Sequence, residues 1–334
     1  MSELPTQDPF ADVAYAPPHA SDGKLPVSAP RYLLALCLFL LTLFATTTLG
    51  AGWYLSTRTD VTTDLVPFLT PRTVAEVWSD PELLTTGLMF SLPALFILLC
   101  HELGHYLTCR RYGLPATLPY FIPAPLGLGT LGAFIKIKAR IRSERELLDV
   151  GASGPIAGFL ALLPFLLYGI AKSQPAAVQL AAADETSNLL LLLPGNCLGL
   201  ELAVRLFHGK LPQGVVMDLH PFALAAWVGL LATALNLLPL GQLDGGHILY
   251  AANSRLQRQS VFLLWGALAL AGLFLWPGWI LWCVVVLIVG LRHPRLVDED
   301  KPLDPRRRLI AFVCLVIFVL SFMPIPVSLV PIVG

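Results

Sequence analysis

Charge is scarce in this sequence, and its scarcity limits the protein classes to which the chain can belong. Only 13% of the 334 residues are charged and the formal net charge is zero, whereas an ordinary globular domain carries roughly 25% charged residues. A chain without a basic surplus or a basic face is not expected to bind nucleic acid. Hydrophobic residues make up 56% and the mean hydropathy is +0.71, which predicts a multi-pass integral membrane protein.

The sequence has no C-x-x-C cysteine pair, and its first residues do not have the pattern expected of a cleavable leader. The six cysteines include no C-x-x-C pair and most lie in apolar stretches, where we expect them to pack as small hydrophobic side chains. Residues 1–30 contain six prolines but no basic segment followed by an apolar one. They therefore predict a disordered cytoplasmic tail and not a signal peptide.

Long apolar stretches, by contrast, are abundant. A helix that crosses a bilayer needs about 20 apolar residues. If the N-terminus lies inside, the arginine-bearing ends of the predicted crossings all lie on the cytoplasmic side, as the positive-inside rule requires. The stretch 189–207 contains Pro194, Glu201 and Arg205, which favours an interfacial or re-entrant segment; an eighth crossing is the alternative. The predicted crossings are residues 32–55, 84–108, 150–170, 221–240, 261–275, 279–291 and 309–322.

A zinc-binding motif lies near the end of the second predicted crossing, as His101-Glu102-Leu103-Gly104-His105. On a helix, His101 and His105 are one turn apart and face the same way, so both imidazoles can bind one Zn²⁺. Glu102 can then act as the general base on the hydrolytic water. Two histidines and a carboxylate are costly inside an apolar segment, which favours a functional role. The alternative is that the histidines only satisfy helix contacts.

A catalytic zinc takes three protein ligands, so a third residue is needed. Asp244 is the best candidate, because it lies in a segment interrupted by proline and glycine just after the fourth predicted crossing. A carboxylate at such a position needs a cation. His247 competes with it, and a helix cap or an ion pair with Arg255 would give Asp244 a purely structural role.

The segment 112–148 is not helical in pattern. From Phe134 onward, bulky residues alternate with Lys136, Lys138 and Arg140, which is the periodicity of a strand. Non-helical backbone at membrane depth survives only when it is buried or lines water. We therefore expect a small re-entrant β-hairpin beside the metal, whose exposed edge can pair with an extended peptide. For residues 138–145, a basic loop resting on anionic headgroups is an equal alternative.

Two motifs together resemble the site-2 protease family of intramembrane zinc metalloproteases. That family combines H-E-x-x-H on one helix with N-x-x-P-x-x-x-x-D-G on a later one, and this chain matches both. Residues 154–158 resemble the family's G-P-x-A-G signature. Residues 119–123 and 128–134 look like the branch found in cyanobacteria and plastids. The second motif is matched by Asn236, Pro239, Asp244 and Gly245.

The resemblance implies a function and a set of residue roles. His101, His105 and Asp244 would bind one Zn²⁺ per chain, Glu102 would be catalytic, and Asn236 would hold the substrate strand or help stabilise the oxyanion. The implied activity is hydrolysis of peptide bonds within or near transmembrane segments during regulated intramembrane proteolysis. The implied partners are a transmembrane protein substrate and the lipid bilayer, and the predicted location is the bacterial inner (plasma) membrane.

The expected fold is an all-α polytopic membrane protein of about seven transmembrane helices with a small re-entrant β-hairpin near the active site. Its predicted parts are the tail (1–30), the first crossing with an outer loop (31–82), the metalloprotease core (83–250) and C-terminal transmembrane helices (251–334). A membrane transporter and a catalytically inactive, membrane-protein-binding relative are the alternative functions. A di-iron desaturase needs more boxed histidines than this chain has.

Overall fold

The computed structural model describes residues 29–56, 69–177, 190–291, 296 and 302–331. Residues 1–28 of the predicted tail therefore lie outside the described residues. Within these ranges the chain is mostly helical, with three two-stranded sheets pairing β1 with β2, β3 with β5, and β4 with β6. The helices are α1 (Ala29–Ser56), α2 (Pro71–Ser79), α3 (Pro81–Arg111), α4 (Glu144–Lys172), α5 (Leu198–His208), α6 (Pro221–Asn236), α7 (Asp244–Ala252), α8 (Ser254–Phe274), α9 (Gly278–Val289) and α10 (Pro305–Ser321). The strands are β1 (Tyr120–Pro123), β2 (Thr130–Phe134), β3 (Gln174–Ala177), β4 (Leu190–Pro194), β5 (Val215–Asp218) and β6 (Val327–Pro331).

Three of the described helices are long and apolar enough to cross a membrane, and they are α1, α3 and α4. At about 1.5 Å per residue, each exceeds the roughly 30 Å hydrocarbon core. Each predicted crossing contains a helix, but α6 has 16 residues and α9 has 12. The chain is thus an integral membrane protein by its apolar helices, while the predicted total of seven crossings is not confirmed.

The fourth predicted crossing, 221–240, ends earlier than expected. Helix α6 stops at Asn236, because Pro239 lies just beyond and the chain then turns through Gly241, whose φ is +54°. A side chain at Gly241 would also lie 2.3 Å from the Gly290 carbonyl oxygen. The turn sends the chain into the separate helix α7, which begins at Asp244.

The described part of the stretch 189–207 contains no helix among the three that are long and apolar enough to cross a membrane. This part consists mainly of β4 and the 11-residue helix α5, in agreement with the interfacial or re-entrant segment that the sequence favours. Strand β4 pairs in antiparallel register with β6 near the C-terminus, from Leu190 opposite Pro331 to Pro194 opposite Val327. The interruption by Pro194 and Gly195 separates the strand from the helix.

Helix α6 occupies the centre of the bundle and is buried on almost every side. Trp227 is fully buried, stacks on Trp53 of α1 at 5.5 Å between ring centroids, and donates its indole N–H to the Gly195 carbonyl at 2.8 Å. Gly229 allows Ile97 of α3 to approach closely. This packing brings the C-terminal end of α6 against the histidine-bearing turn of α3.

Candidate metal centre

The two histidines of the zinc-binding motif lie in the C-terminal half of α3. His101 and His105 are 5% and 7% exposed, and their Nε2 atoms are 3.1 Å apart. The helical spacing of four residues places both rings on the same face, as the sequence predicted. The imidazoles therefore converge inside the protein and not toward lipid.

Asp244 comes from a distant part of the chain and meets both rings. Its Oδ2 atom lies 3.2 Å from Nε2 of His101 and 3.3 Å from Nε2 of His105. Asp244 is the first residue of α7, where the helix dipole favours a negative charge. The tight turn depends on the glycines that follow, since a Cβ at Gly245 would lie 2.0 Å from the Leu237 carbonyl oxygen.

The three donor atoms fit a zinc ion. In a tetrahedral site with ligands at about 2.0–2.1 Å, neighbouring ligand atoms are roughly 3.3 Å apart. The observed separations between the two Nε2 atoms and Asp244 Oδ2 are 3.1, 3.2 and 3.3 Å. Two imidazoles and one carboxylate also form a donor set typical of catalytic zinc. Spacing and chemistry therefore agree.

Helix α4 fixes the orientation of His105. The ring donates its Nδ1–H to the Val150 carbonyl at 2.7 Å, which leaves the Nε2 lone pair facing Asp244. A Cβ at Gly154 would lie 2.1 Å from that Nε2 atom, and one at Gly158 would lie 3.2 Å from the Cβ of His101. The glycines of the G-P-x-A-G segment thus leave the space that the imidazoles occupy.

The two predicted catalytic residues lie beside this cluster. Glu102 is buried, at 7% exposure, and the backbone N–H of Ile135 faces its carboxylate. Asn236, the last residue of α6, places Nδ2 3.4 Å from Nε2 of His101. The structure therefore brings all five predicted site residues together. The alternative ligand His247 is on α7 as well, but the described group of candidate ligand atoms is formed by His101, His105 and Asp244.

The predicted β-hairpin is present next to Glu102. Strands β1 and β2 pair antiparallel, with Tyr120 opposite Phe134 and Phe121 opposite Ala133. The pairing continues through an Ala116–Ile137 bridge. At the hairpin turn, Gly129 has a φ of +83° and abuts the α1 backbone at Thr46. The hairpin therefore packs against the middle of a candidate membrane helix.

Sequence reasoning missed the parts of the site that are backbone atoms. The Val150 carbonyl and the Ile135 N–H contact His105 and Glu102, yet neither side chain carries any chemical signal. Gly154 was recognised within a motif, but its role as the space for an imidazole emerges only when α3 and α4 are packed together.

Comparison with known proteins identifies the family. A sequence model of peptidase family M50 matches residues 89–273, which include every residue of the metal centre. The chain belongs to this family. It is 32% identical over 235 residues to a rice protein (Oryza sativa subsp. japonica) named probable zinc metalloprotease EGY1, chloroplastic; the match covers 68% of the chain and 39% of the relative. The Arabidopsis thaliana protein of the same name is 29% identical over 311 residues, covering 90% of the chain and 54% of the relative.

These comparisons confirm the resemblance to the site-2 protease family and to its plastid-like branch. The chain nevertheless spans only 39% of the rice relative's length and 54% of the Arabidopsis relative's. The names of these M50 relatives place them in the chloroplast, so the predicted bacterial inner membrane has no support from them. No solved structure matches the chain.

Proposed function

We propose that this M50 member is an intramembrane zinc metalloprotease that hydrolyses peptide bonds within or near transmembrane segments of membrane proteins. The observation that carries the proposal is the convergence of His101, His105 and Asp244 at zinc-ligand spacing beside the buried Glu102. The cluster lies on α3, a helix long and apolar enough to cross a membrane. We also retain seven crossings, with the N-terminus inside, as part of the proposal.

Each site residue receives a role in this mechanism. His101, His105 and Asp244 hold one zinc per chain. When bound, zinc supplies Lewis acidity that activates water and polarises the scissile carbonyl. Glu102 accepts the proton of the attacking water and later delivers it to the leaving amine. The Asn236 side-chain amide donates a hydrogen bond to the carbonyl oxygen as negative charge develops there.

Loss of Asp244 tests the ligand assignment. Asp244→Ala removes one of three protein ligands and leaves a cavity where the carboxylate joins the two rings. We expect zinc content to fall from about one per chain to near zero, with loss of cleavage, in purified protein analysed by mass spectrometry of the metal. Glu82→Ala, at the opposite end of α3 and exposed, is the control and should retain zinc. Full zinc content in Asp244→Ala would remove Asp244 from the ligand set.

Strand β2 offers an edge on which the substrate can be held in extended form. Lys136 directs its backbone N–H and C=O toward Thr117, so alternate residues such as Ala133 and Ile135 direct theirs to the opposite edge. The Ile135 N–H faces Glu102 from that edge. A peptide that pairs there as an added strand is unwound and lies next to the catalytic carboxylate.

Removing one donor from this edge tests substrate pairing. Ala133→Pro deletes a backbone N–H. Proline is tolerated at an edge-strand position whose N–H points away from the neighbouring strand. We expect KM for a membrane substrate to rise about tenfold, equivalent to one lost hydrogen bond, with zinc content unchanged. Ala133→Ser retains the N–H and should keep a wild-type KM. Equal KM values for the two variants would contradict strand pairing at this position.

Assays in membranes distinguish the proposed protease from the two alternative functions, a transporter and an inactive relative. A transporter predicts solute uptake into proteoliposomes, and an inactive relative predicts no cleavage at all. Proteomics of the membrane fraction is the direct test of the protease. Cells that contain Glu102→Gln should accumulate uncleaved membrane stubs that wild-type cells lack, and identical stub populations would contradict proteolysis.

A further inference from the structure

We infer that Arg307 of α10 is a positioning residue for the metal centre, acting through Asp149 on the carbonyl that holds His105. The inference rests on the proposed metal site and adds a residue from outside the part of the chain that the family model matches, which ends at residue 273. It also assigns a task to the last helix, for which the sequence offered none.

Arg307 grips Asp149 with two parallel hydrogen bonds. Its Nε donates to Oδ1 at 3.0 Å and its Nη2 donates to Oδ2 at 2.6 Å. The planar guanidinium fork matches a carboxylate in this arrangement, which fixes direction as well as distance. The two side chains are 24% and 20% exposed, so water screens this pair less than it screens an ordinary surface pair.

Two further groups lock the pair in place. The Tyr112 hydroxyl donates to Asp149 Oδ2 at 2.5 Å and accepts from Arg307 Nη2 at 3.1 Å. Burial and the neighbouring Asp149 carboxylate raise the pKa of the Tyr112 phenol, so it remains a donor. Asp304, the N-cap of α10, accepts from the remaining Arg307 nitrogen, Nη1, at 2.5 Å. One guanidinium thus joins the end of α3, the start of α4 and the start of α10.

This polar cluster adjoins the residue that holds His105. Asp149 directly precedes Val150, whose carbonyl accepts the Nδ1–H of His105 at 2.7 Å. Tyr112 caps the same helix that carries His105, seven residues farther along. Holding Asp149 and Tyr112 together therefore sets how the first turns of α4 are rotated against α3. That rotation determines whether the Val150 carbonyl meets the imidazole.

Apolar packing connects α10 to the third ligand as well. Cys314 and Ile317 of α10 are buried in one cluster with Leu148 of α4 and with Ile248 of α7. Helix α7 begins with Asp244. Helix α10 consequently packs against the two helices that hold His105 and supply Asp244, and Arg307 anchors its N-terminal end there.

The test measures metal binding directly, in the full-length protein purified in detergent. Arg307→Ala should weaken zinc binding about tenfold in a competitive chelator titration, as expected for loss of an outer partner of a metal ligand. It should also alter the visible absorption spectrum of the protein loaded with Co²⁺. Arg307→Lys keeps the charge but not the fork, and should recover part of the affinity. Arg306→Ala, which removes a neighbouring charge, should match wild type in both measurements.

A double-mutant cycle shows whether Arg307 acts through Asp149. If it does, Arg307→Ala combined with Asp149→Ala should weaken zinc binding no more than either change alone. Fully additive losses would overturn the inference. So would a lowered melting temperature in Arg307→Ala with wild-type zinc affinity and an unchanged Co²⁺ spectrum, because that result describes a purely structural ion pair.

The same experiment separates this inference from the proposed function. Zinc affinity is measured without any substrate. A wild-type protein that binds zinc but cleaves nothing would therefore contradict the proposed protease activity, while the zinc affinity of Arg307→Ala would still test the positioning role. A wild-type protein that cleaves normally, with Arg307→Ala indistinguishable from it in metal binding, would overturn the positioning role alone. A wild-type protein that binds no zinc would overturn both.

Discussion

Glu102→Gln is expected to abolish cleavage while the protein retains its zinc. The amide has the shape of the carboxylate but cannot accept the water proton, and general acid–base catalysis contributes about 10²–10⁴-fold in rate. Glu102 is not among the residues that contribute the three grouped ligand atoms, so the zinc content should remain near one per chain. Cleavage of a membrane substrate in proteoliposomes and zinc content would be measured on the same preparation.

The matched control for this change is Glu82→Gln, which alters an exposed carboxylate on the same helix. It should cleave at the wild-type rate. Wild-type cleavage by Glu102→Gln would show that another group moves the proton. Loss of zinc in Glu102→Gln would show instead that this carboxylate belongs to the ligand shell.

Gly154→Ala is expected to destroy the metal site although it adds a single methyl group. The new Cβ would lie 2.1 Å from Nε2 of His105, far inside van der Waals contact, and the ring is enclosed by α3 and α4. The imidazole must leave its position, losing both its place beside Asp244 and its hydrogen bond to Val150. We expect zinc affinity to fall about 100-fold or more, with activity falling in parallel.

Two other glycines provide graded controls for this change. Gly158→Ala places its Cβ 3.2 Å from the nearest atom of His101, so a small shift should accommodate it and zinc binding should weaken only slightly. A Cβ at Gly266 in α8 meets nothing within 4 Å. Gly266→Ala should therefore leave zinc binding unchanged and stabilise the helix by about 1 kcal/mol. Wild-type zinc affinity in Gly154→Ala would contradict the observed packing of α4 on His105.

Local periodicity explains what the sequence predicted well. The four-residue spacing of His101 and His105 guarantees a shared helix face wherever the helix packs. The alternation that starts at Phe134 predicted a strand from that residue onward, whereas β2 ends at Phe134 and is followed only by the isolated bridge at Ile137. Asp244 is recognisable from the sequence because acidic residues are rare in apolar segments and each one there needs a partner.

Features that depend on tertiary packing were not predictable. Pro239 accounts locally for the end of α6 at Asn236, but the fit of the following turn at Gly241 against Gly290 is a contact between residues far apart in sequence. The pairing of β4 with β6 joins residues more than 130 positions apart, and nothing in the apolar stretch 189–207 specifies that partner. The Arg307–Asp149 pair likewise spans 158 residues, and the positive-inside rule uses Arg307 only as one of the basic residues that orient the bundle.

X-ray absorption spectroscopy at the zinc edge of the purified protein tests the proposed metal centre most directly. We predict one zinc per chain, bound by two imidazoles and a carboxylate at about 2.0–2.2 Å, with the signal lost in Asp244→Ala. Scattering from sulfur at about 2.3 Å, or a zinc shell identical in wild type and Asp244→Ala, would contradict a site built from α3 and α7.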